Sequence, residues 1–285
     1  MNKNDTTILL VGHGSRNREG NSEIEQFAAQ WRKKNPELHI VLCFIEFAEV
    51  LLDAGLDMAA QSSSKVVVIP LILNAAGHVK MEIPEHIEQA RQRHPETEFI
   101  FARHLGAPDA ILAILKRRLQ QTMLALDMPD PKTTSVILLA RGSSDRIANG
   151  EVAKMARWLY EESDHDLVEI AFTGITHPRL EGVAQHQITR GMGQVMVLPY
   201  YLFNGTLIER IKRQVIHLQQ HYPTVRFGHS KYFGFEPEIF ELLNERVAEA
   251  QAGEDAVKRM MECDGCNYRQ QAHDSHGHHH HHHDH

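Results

Sequence analysis

The chemistry in this chain gathers around two histidines. His13 sits in Val11-Gly12-His13-Gly14-Ser15, between glycines that let the backbone turn sharply and approach a ligand closely. His78 follows Gly77 in the segment Leu73 to Pro84, and Glu82 lies four residues further on. If that turn is helical, His78 and Glu82 share one face. Pro84 argues for an ordered helix that begins near it instead, because proline fits best in a first turn. Two neutral imidazoles and a carboxylate form an incomplete ligand set for a late first-row divalent ion. An open position suits a metal that is passed on, whereas a structural zinc site is closed by four protein ligands. The same imidazoles, with an ordinary pKa of about 6.5, can accept protons at neutral pH. Either histidine alone reads equally well as a polar loop residue satisfied by neighbouring backbone. Their joint placement points to metal.

That placement comes from the surrounding pattern. Apolar strand-like runs cover Thr7–Val11, His39–Phe44, Val66–Leu73 and Glu98–Ala102. Helix-like stretches lie between and after them at Ser22–Lys34, Glu49–Ala60, Pro84–Arg93 and Pro108–Leu126. Strand-like runs return at Val136–Ala140, Leu167–Thr173, Gln194–Tyr201 and Val225–Gly228. Continuous β-branched runs alternating with amphipathic helices predict parallel strands buried on both faces. In open α/β sheets ligands bind beyond the carboxyl ends of the strands. His13 and His78 fall at two such ends.

The chain also repeats itself. At a spacing of 128 residues His13 meets Arg141, Gly14 meets Gly142, Ser15 meets Ser143 and Asn21 meets Asn149. The same spacing pairs Phe44 with Phe172, Gly77 with Gly205, Pro95 with Pro223 and Gly106 with Gly234, with a slip of one residue between Pro70 and Pro199. The fold expected is α/β: two tandem Rossmann-like domains, 1–127 and 133–250, each with a mainly parallel four-stranded sheet flanked by helices, facing across a cleft. Met128–Ser135, with two prolines, suits a linker. The second copy serves as an internal control. It keeps the glycines and strands but has Arg141 for His13, Thr206 for His78 and Arg210 for Glu82. Copy one is therefore expected to do the chemistry, and copy two to close the cleft. Arg141 and Arg210 would suit anionic groups of a substrate, and read equally as solvated surface.

Composition narrows the classes. A net charge of −7 gives no basic field to recommend nucleic acid. No apolar run reaches the length of a membrane span, and the N-terminus enters a strand pattern without the shape of a signal peptide, so a cytoplasmic location is the default expectation. Cys43 reads as a small buried hydrophobe. Of the 21 histidines, nine lie after residue 272. They belong to a polar tail, 251–285, that also holds Cys263 and Cys266. A nucleotide-binding reading is disfavoured, since the first strand is followed by neither a P-loop nor the three-glycine dinucleotide motif.

The opening Val-Gly-His-Gly-Ser-Arg, the segment Ile69 to Pro84 and the duplicated layout resemble the class II tetrapyrrole chelatases, in particular the long-form CbiX sirohydrochlorin cobaltochelatases. The resemblance covers residues 1 to about 250. It implies ATP-independent insertion of Co²⁺ into sirohydrochlorin, an early step of anaerobic cobalamin synthesis. It also implies that short relatives reach by homodimerisation what is fused here, so a monomer is expected, with a dimer through the tail as the alternative. On this reading His13, His78 and Glu82 are metal ligands and catalytic groups. Substrate carboxylates would be anchored near Gly14, Ser15, Arg16, Arg18, Lys80, Arg141 and Arg210. Long members carry a Met-x-Cys-x-x-Cys motif that binds an iron–sulfur cluster, which Met261, Cys263 and Cys266 fit, although two cysteines fall short of the usual four thiolates. The run His278, His279, His280 to His283 reads either as a purification tag or as a native metal-capturing tail. Insertion of Fe²⁺ or Ni²⁺ is the rival within the same chemistry, and a non-catalytic metal-storage protein the rival from another class.

Overall fold

The computed structural model describes residues 4–252. The tail expectations at Cys263, Cys266 and His278 to His280 lie outside the described residues. The first half runs β1 (Asn4–Gly12), α1 (Arg18–Lys34), β2 (His39–Phe44), α2 (Leu52–Ser62), β3 (Ser63–Pro70), a π turn (His78–Glu82), α3 (Ile83–Arg93), β4 (Glu98–Phe101) and α4 (Asp109–Ala125). The second runs β5 (Thr134–Ala140), α5 (Arg146–Glu161), β6 (Val168–Phe172), α6 (Leu180–Thr189), β7 (Gln194–Pro199), α7 (Thr206–His221), β8 (Arg226–His229) and α8 (Pro237–Gln251). Each half carries one four-stranded sheet, parallel throughout, in the orders β2-β1-β3-β4 and β6-β5-β7-β8. The expected α/β fold is what the chain adopts. Strand order reverses between the central strands β1 and β3, so the loops leaving their carboxyl ends diverge and open a crevice there.

Most element limits follow the sequence pattern. Helix α1 starts earlier than its apolar periodicity suggests, because the Asn17 side chain accepts a hydrogen bond from the Glu19 amide at 3.0 Å and caps the first turn. Asp145 caps α5 in the same way, accepting from the Ile147 amide at 2.9 Å.

The packing departs from two cores kept apart. Alternate residues of β1 and β3 face opposite ways. Leu9, Val11, Val66 and Val68 meet α2 and α3 on an outer layer, and Ile137, Leu139, Val195 and Val197 meet α6 and α7 on the other. The inward residues, Ile8, Leu10, Val67 and Ile69 with Val136, Leu138, Met196 and Leu198, join one central core through α1, α4, α5 and α8. The last helix of each half crosses over: α4 packs on β7 and β8, and α8 packs on β3. Phe27 of α1 stacks on Phe240 of α8 with ring centres 4.2 Å apart, and the Trp31 indole donates to Asn244 Oδ1 at 2.8 Å. Buried Arg246 of α8 donates to the carbonyls of His104 and Leu105, at 3.0 and 3.1 Å, in the first half. The halves are thus held in one mutual orientation by a shared core.

Among the described residues, no helix is long and apolar enough to cross a membrane. Phe27 is fully buried in the seam between the halves. Phe27→Ala is expected to cost about 3–5 kcal/mol of unfolding free energy, measured by urea denaturation of the whole chain. Because the seam is one core, both halves should lose stability together in a single transition.

Candidate metal and tetrapyrrole site

The shared core brings the carboxyl ends of β1 and β5 face to face. His13, just past β1, lies with its Nε2 3.1 Å from a guanidinium nitrogen of Arg141, just past β5. The two positions that the repeat equates therefore touch. Their loops are built alike. The Ser15 amide donates to Asn21 Oδ1 at 2.8 Å, and Asn21 Nδ2 donates back to the Ser15 carbonyl at 3.1 Å. Ser143 and Asn149 repeat both bonds at 2.9 and 2.8 Å. Gly14 and Gly142 turn these loops at φ +89° and +86°. A Cβ on Gly14 would lie 1.8 Å from the Glu46 carbonyl oxygen, so no side chain fits.

His78 opens the π turn, and its ring centre is 4.6 Å from that of His13, edge to face. With nitrogen–metal bonds of about 2.0–2.1 Å, two imidazoles on one ion have ring centres about 4.5–5.5 Å apart. The observed spacing is compatible with one shared ion. His78 Nδ1 is hydrogen-bonded to Glu82 Oε2, which leaves the other ring nitrogen for a ligand. His13 Nδ1 lies 3.2 Å from the Gly14 carbonyl and 3.5 Å from Glu46 Oε1. A proton on Nδ1 satisfies these acceptors and makes Nε2 the lone pair that receives the Arg141 donor. Burial holds the His13 pKa below its ordinary value, and the charges of His78 and Arg141 act the same way. Glu82 is held below the usual carboxylate range by the His78 hydrogen bond. Among the described residues no group of three or more His, Cys, Asp or Glu side chains forms a metal cage. The arrangement is a pair of imidazoles, each with a carboxylate beside its Nδ1.

The sequence-predicted residues separate here. His13, His78, Glu82 and Arg141 come together. Arg16 and Arg18 are exposed at the start of α1, with the Arg16 guanidinium 4.9 Å from the centre of the Phe47 ring. Arg210 is exposed on α7. Lys80 corrects the expectation of a substrate anchor. It sits on the opposite side of the π turn from His78 and Glu82, and is ion-paired with Asp145 where the side chains are 2% and 1% exposed. Its ammonium holds the halves together instead of facing the cleft. The Ser15 amide, expected to bind an anion, is already given to Asn21. Gly77 needs no special freedom: its φ and ψ are −46° and −45°, and a Cβ there would meet nothing within 4 Å. The π turn itself reconciles the Glu82 spacing with Pro84. Ile83 donates to the His78 carbonyl, and this widened turn carries the chain into a helix whose proline has no amide to give.

Glu46 was missed by the sequence reading. It follows β2 as Glu82 follows β3, and a carboxylate past the end of a strand-like run was the available signal. What brings it to His13 is the parallel pairing of β1 with β2, continued past the strands by the Glu46 amide donating to the His13 carbonyl at 3.2 Å. A cavity of about 630 Å³ runs along the edge strand β6 and is lined by Tyr160, Leu167, Ile170, Val183 and His186. Its lining includes neither His13 nor His78 nor the residues bonded to them.

Two glycines beside the histidines should behave oppositely. Gly14→Ala is expected to disrupt the His13 loop and lower Co²⁺ affinity at least tenfold, an order-of-magnitude figure for displaced ligand support. Gly77→Ala should leave the affinity unchanged and the helix slightly stabilised. Calorimetric titration with Co²⁺ and a thermal melt of each variant provide the check.

Comparison with known proteins identifies the family. The CbiX family model matches twice, at residues 7–122 and 135–250. The sirohydrochlorin cobaltochelatase of Priestia megaterium is 38% identical over 266 residues, covering 92% of this chain and 84% of that protein. The sirohydrochlorin ferrochelatase of the same organism is 28% identical over 242 residues, covering 84% and 88%. Among solved structures, SirB from Bacillus subtilis with Fe³⁺ superposes with a TM-score of 0.76 at 27% identity, covering 88% of this chain and 98% of that one. With one family model laid over each of the two sheets, and a relative of this similarity spanning most of both chains, the chain belongs to the CbiX family.

Proposed function

We propose that this protein is a sirohydrochlorin chelatase that inserts Co²⁺ without ATP, releasing two protons, as a step toward cobalamin. The observation that carries the reading is the His13–His78 pair at the strand ends of copy one, facing an arginine in place of a histidine on copy two. The 38% identity to a cobaltochelatase, against 28% to a ferrochelatase, favours cobalt. Fe²⁺ and Ni²⁺ remain rivals, because a pair of imidazoles does not choose among these ions by affinity.

The chemistry needs a loosely held metal, a held macrocycle and somewhere for two pyrrole protons to go. His13 is suited to bind the ion, since burial keeps its imidazole neutral. Metal contact at His13 Nε2 requires Arg141 to move off that lone pair. The carboxylate rim of the tetrapyrrole is the natural competitor for the guanidinium, so substrate binding would free the metal-binding nitrogen. Once the ion leaves for the macrocycle, the vacated His78 nitrogen can accept a proton, with Glu82 against Nδ1 to share the resulting charge. Glu46 stands in the corresponding place beside His13. One divalent ion replaces two protons, so the tetrapyrrole's net charge is unchanged and the enzyme supplies no net charge. Arg210, Arg16 and Arg18 are further anchors for the carboxylates. The internal duplication lets one chain supply both walls of the cleft, and we read the working unit as a monomer.

The test is an insertion assay by visible absorption with Co²⁺, Fe²⁺ and Ni²⁺ in parallel. His13→Ala and His78→Ala should each lower turnover by about 100-fold or more. Arg141→Ala and Arg210→Ala should mainly raise KM for sirohydrochlorin. A chain ending at residue 252 should still insert metal. If truncation abolished all metal handling while both histidine variants were unaffected, the protein would be a storage protein and the chelatase reading would fail.

A further inference from the structure

Two large apolar residues beside the cleft are held where such residues rarely sit. Phe47 and Ile175 have φ +54° and +62°, in the left-handed region that disfavours bulky and β-branched side chains. Both are exposed, at 45% and 58%. They are equivalent under the 128-residue repeat, so the same unfavourable arrangement occurs in both copies although the side chains differ. Ile175 is the middle residue of a tight three-residue turn closed by the Thr176 amide donating to the Gly174 carbonyl at 2.6 Å. The Phe47 carbonyl accepts from Asn21 Nδ2 at 2.6 Å, the same amide group that fixes the His13 loop.

Their position relative to the site is set by backbone bonds. Glu46, one residue before Phe47, donates to the His13 carbonyl at 3.2 Å. Gly174, one residue before Ile175, donates to the Arg141 carbonyl at 3.0 Å. His13 and Arg141 touch each other, so the two apolar residues flank that contact, one from each half. The Arg16 guanidinium lies over the Phe47 ring, which puts a cation beside an apolar surface. Strained backbone clusters at ligand sites, and here it recurs in both copies beside the histidine–arginine contact.

We propose that Phe47 and Ile175 are substrate-contact residues that pack against the apolar macrocycle of the tetrapyrrole, while the arginines take its carboxylates. The proposal deepens the chelatase reading and rests on it. Both side chains are left exposed beside the histidine–arginine contact, and the duplication provides one from each half.

Glycine replacements test this, because they remove the side chain and relieve the backbone at once. Phe47→Gly and Ile175→Gly should melt no lower than the wild type, since glycine adopts positive φ freely. Each should weaken binding of metal-free sirohydrochlorin, followed by its fluorescence in chelated buffer, by about tenfold, and Co²⁺ affinity should stay unchanged. Phe47→Leu should restore most of the binding lost in Phe47→Gly. Unchanged sirohydrochlorin affinity in both glycine variants would overturn the proposal, as would a fall in melting temperature without a loss of affinity. If the wild-type protein itself failed to bind sirohydrochlorin, the chelatase reading would fall first, and this one with it.

Discussion

Everything at the site depends on the helices that fill the space between the two sheets. Helices α1, α4, α5 and α8 belong to one core, and α4 and α8 each pack on the sheet of the opposite half. An interface of this kind, apolar and interlocked, resists relative motion in a way that a small polar domain contact does not. Its consequence is geometric. Two parallel sheets with the same strand order are held so that β1 and β5 end at one place, and residues 128 positions apart in sequence come within hydrogen-bonding distance.

The contact formed there is unlike on its two sides. A symmetric pair of halves would set histidine against histidine. Here the second half offers a guanidinium to the first half's imidazole. Arg141 cannot hold a metal, and it is a strong partner for carboxylates. Under the proposed chelatase function the imidazole side would take the cation and the guanidinium side the carboxylates of the tetrapyrrole. The carboxylates beside the two histidines work on the metal's side of this division. Glu82 at His78 and Glu46 near His13 are placed to orient the rings, the usual service of outer partners to imidazole ligands. The buried Lys80–Asp145 pair secures the π turn that carries His78 and Glu82 against the N-terminus of α5.

Much of this was legible in the sequence because the informative signals were local. Apolar runs marked the strands, and the strand ends located His13 and His78. The comparison of copies singled out Arg141, Thr206 and Arg210 without any structure. What escaped was long-range or depended on helical phase. Apolar periodicity says that α4 and α8 bury a face, but not that each buries it against the other half's sheet. Lys80 looked like a cleft residue because it lies between His78 and Glu82 in sequence, whereas a helical turn places it on the far side. Glu46 required the β1–β2 register, which spacing alone does not reveal. Gly77 precedes His78 in a right-handed backbone that needs no glycine.

In the proposed mechanism the first half alone supplies the imidazoles that hold the metal, and the second half closes the site. Anomalous diffraction at the cobalt edge, from crystals of the protein soaked in Co²⁺, addresses it most directly. A strong peak is expected within coordination distance of ring nitrogens of both His13 and His78, with the Arg141 guanidinium displaced from His13. Cobalt bound elsewhere, with no peak between these two rings, would contradict it.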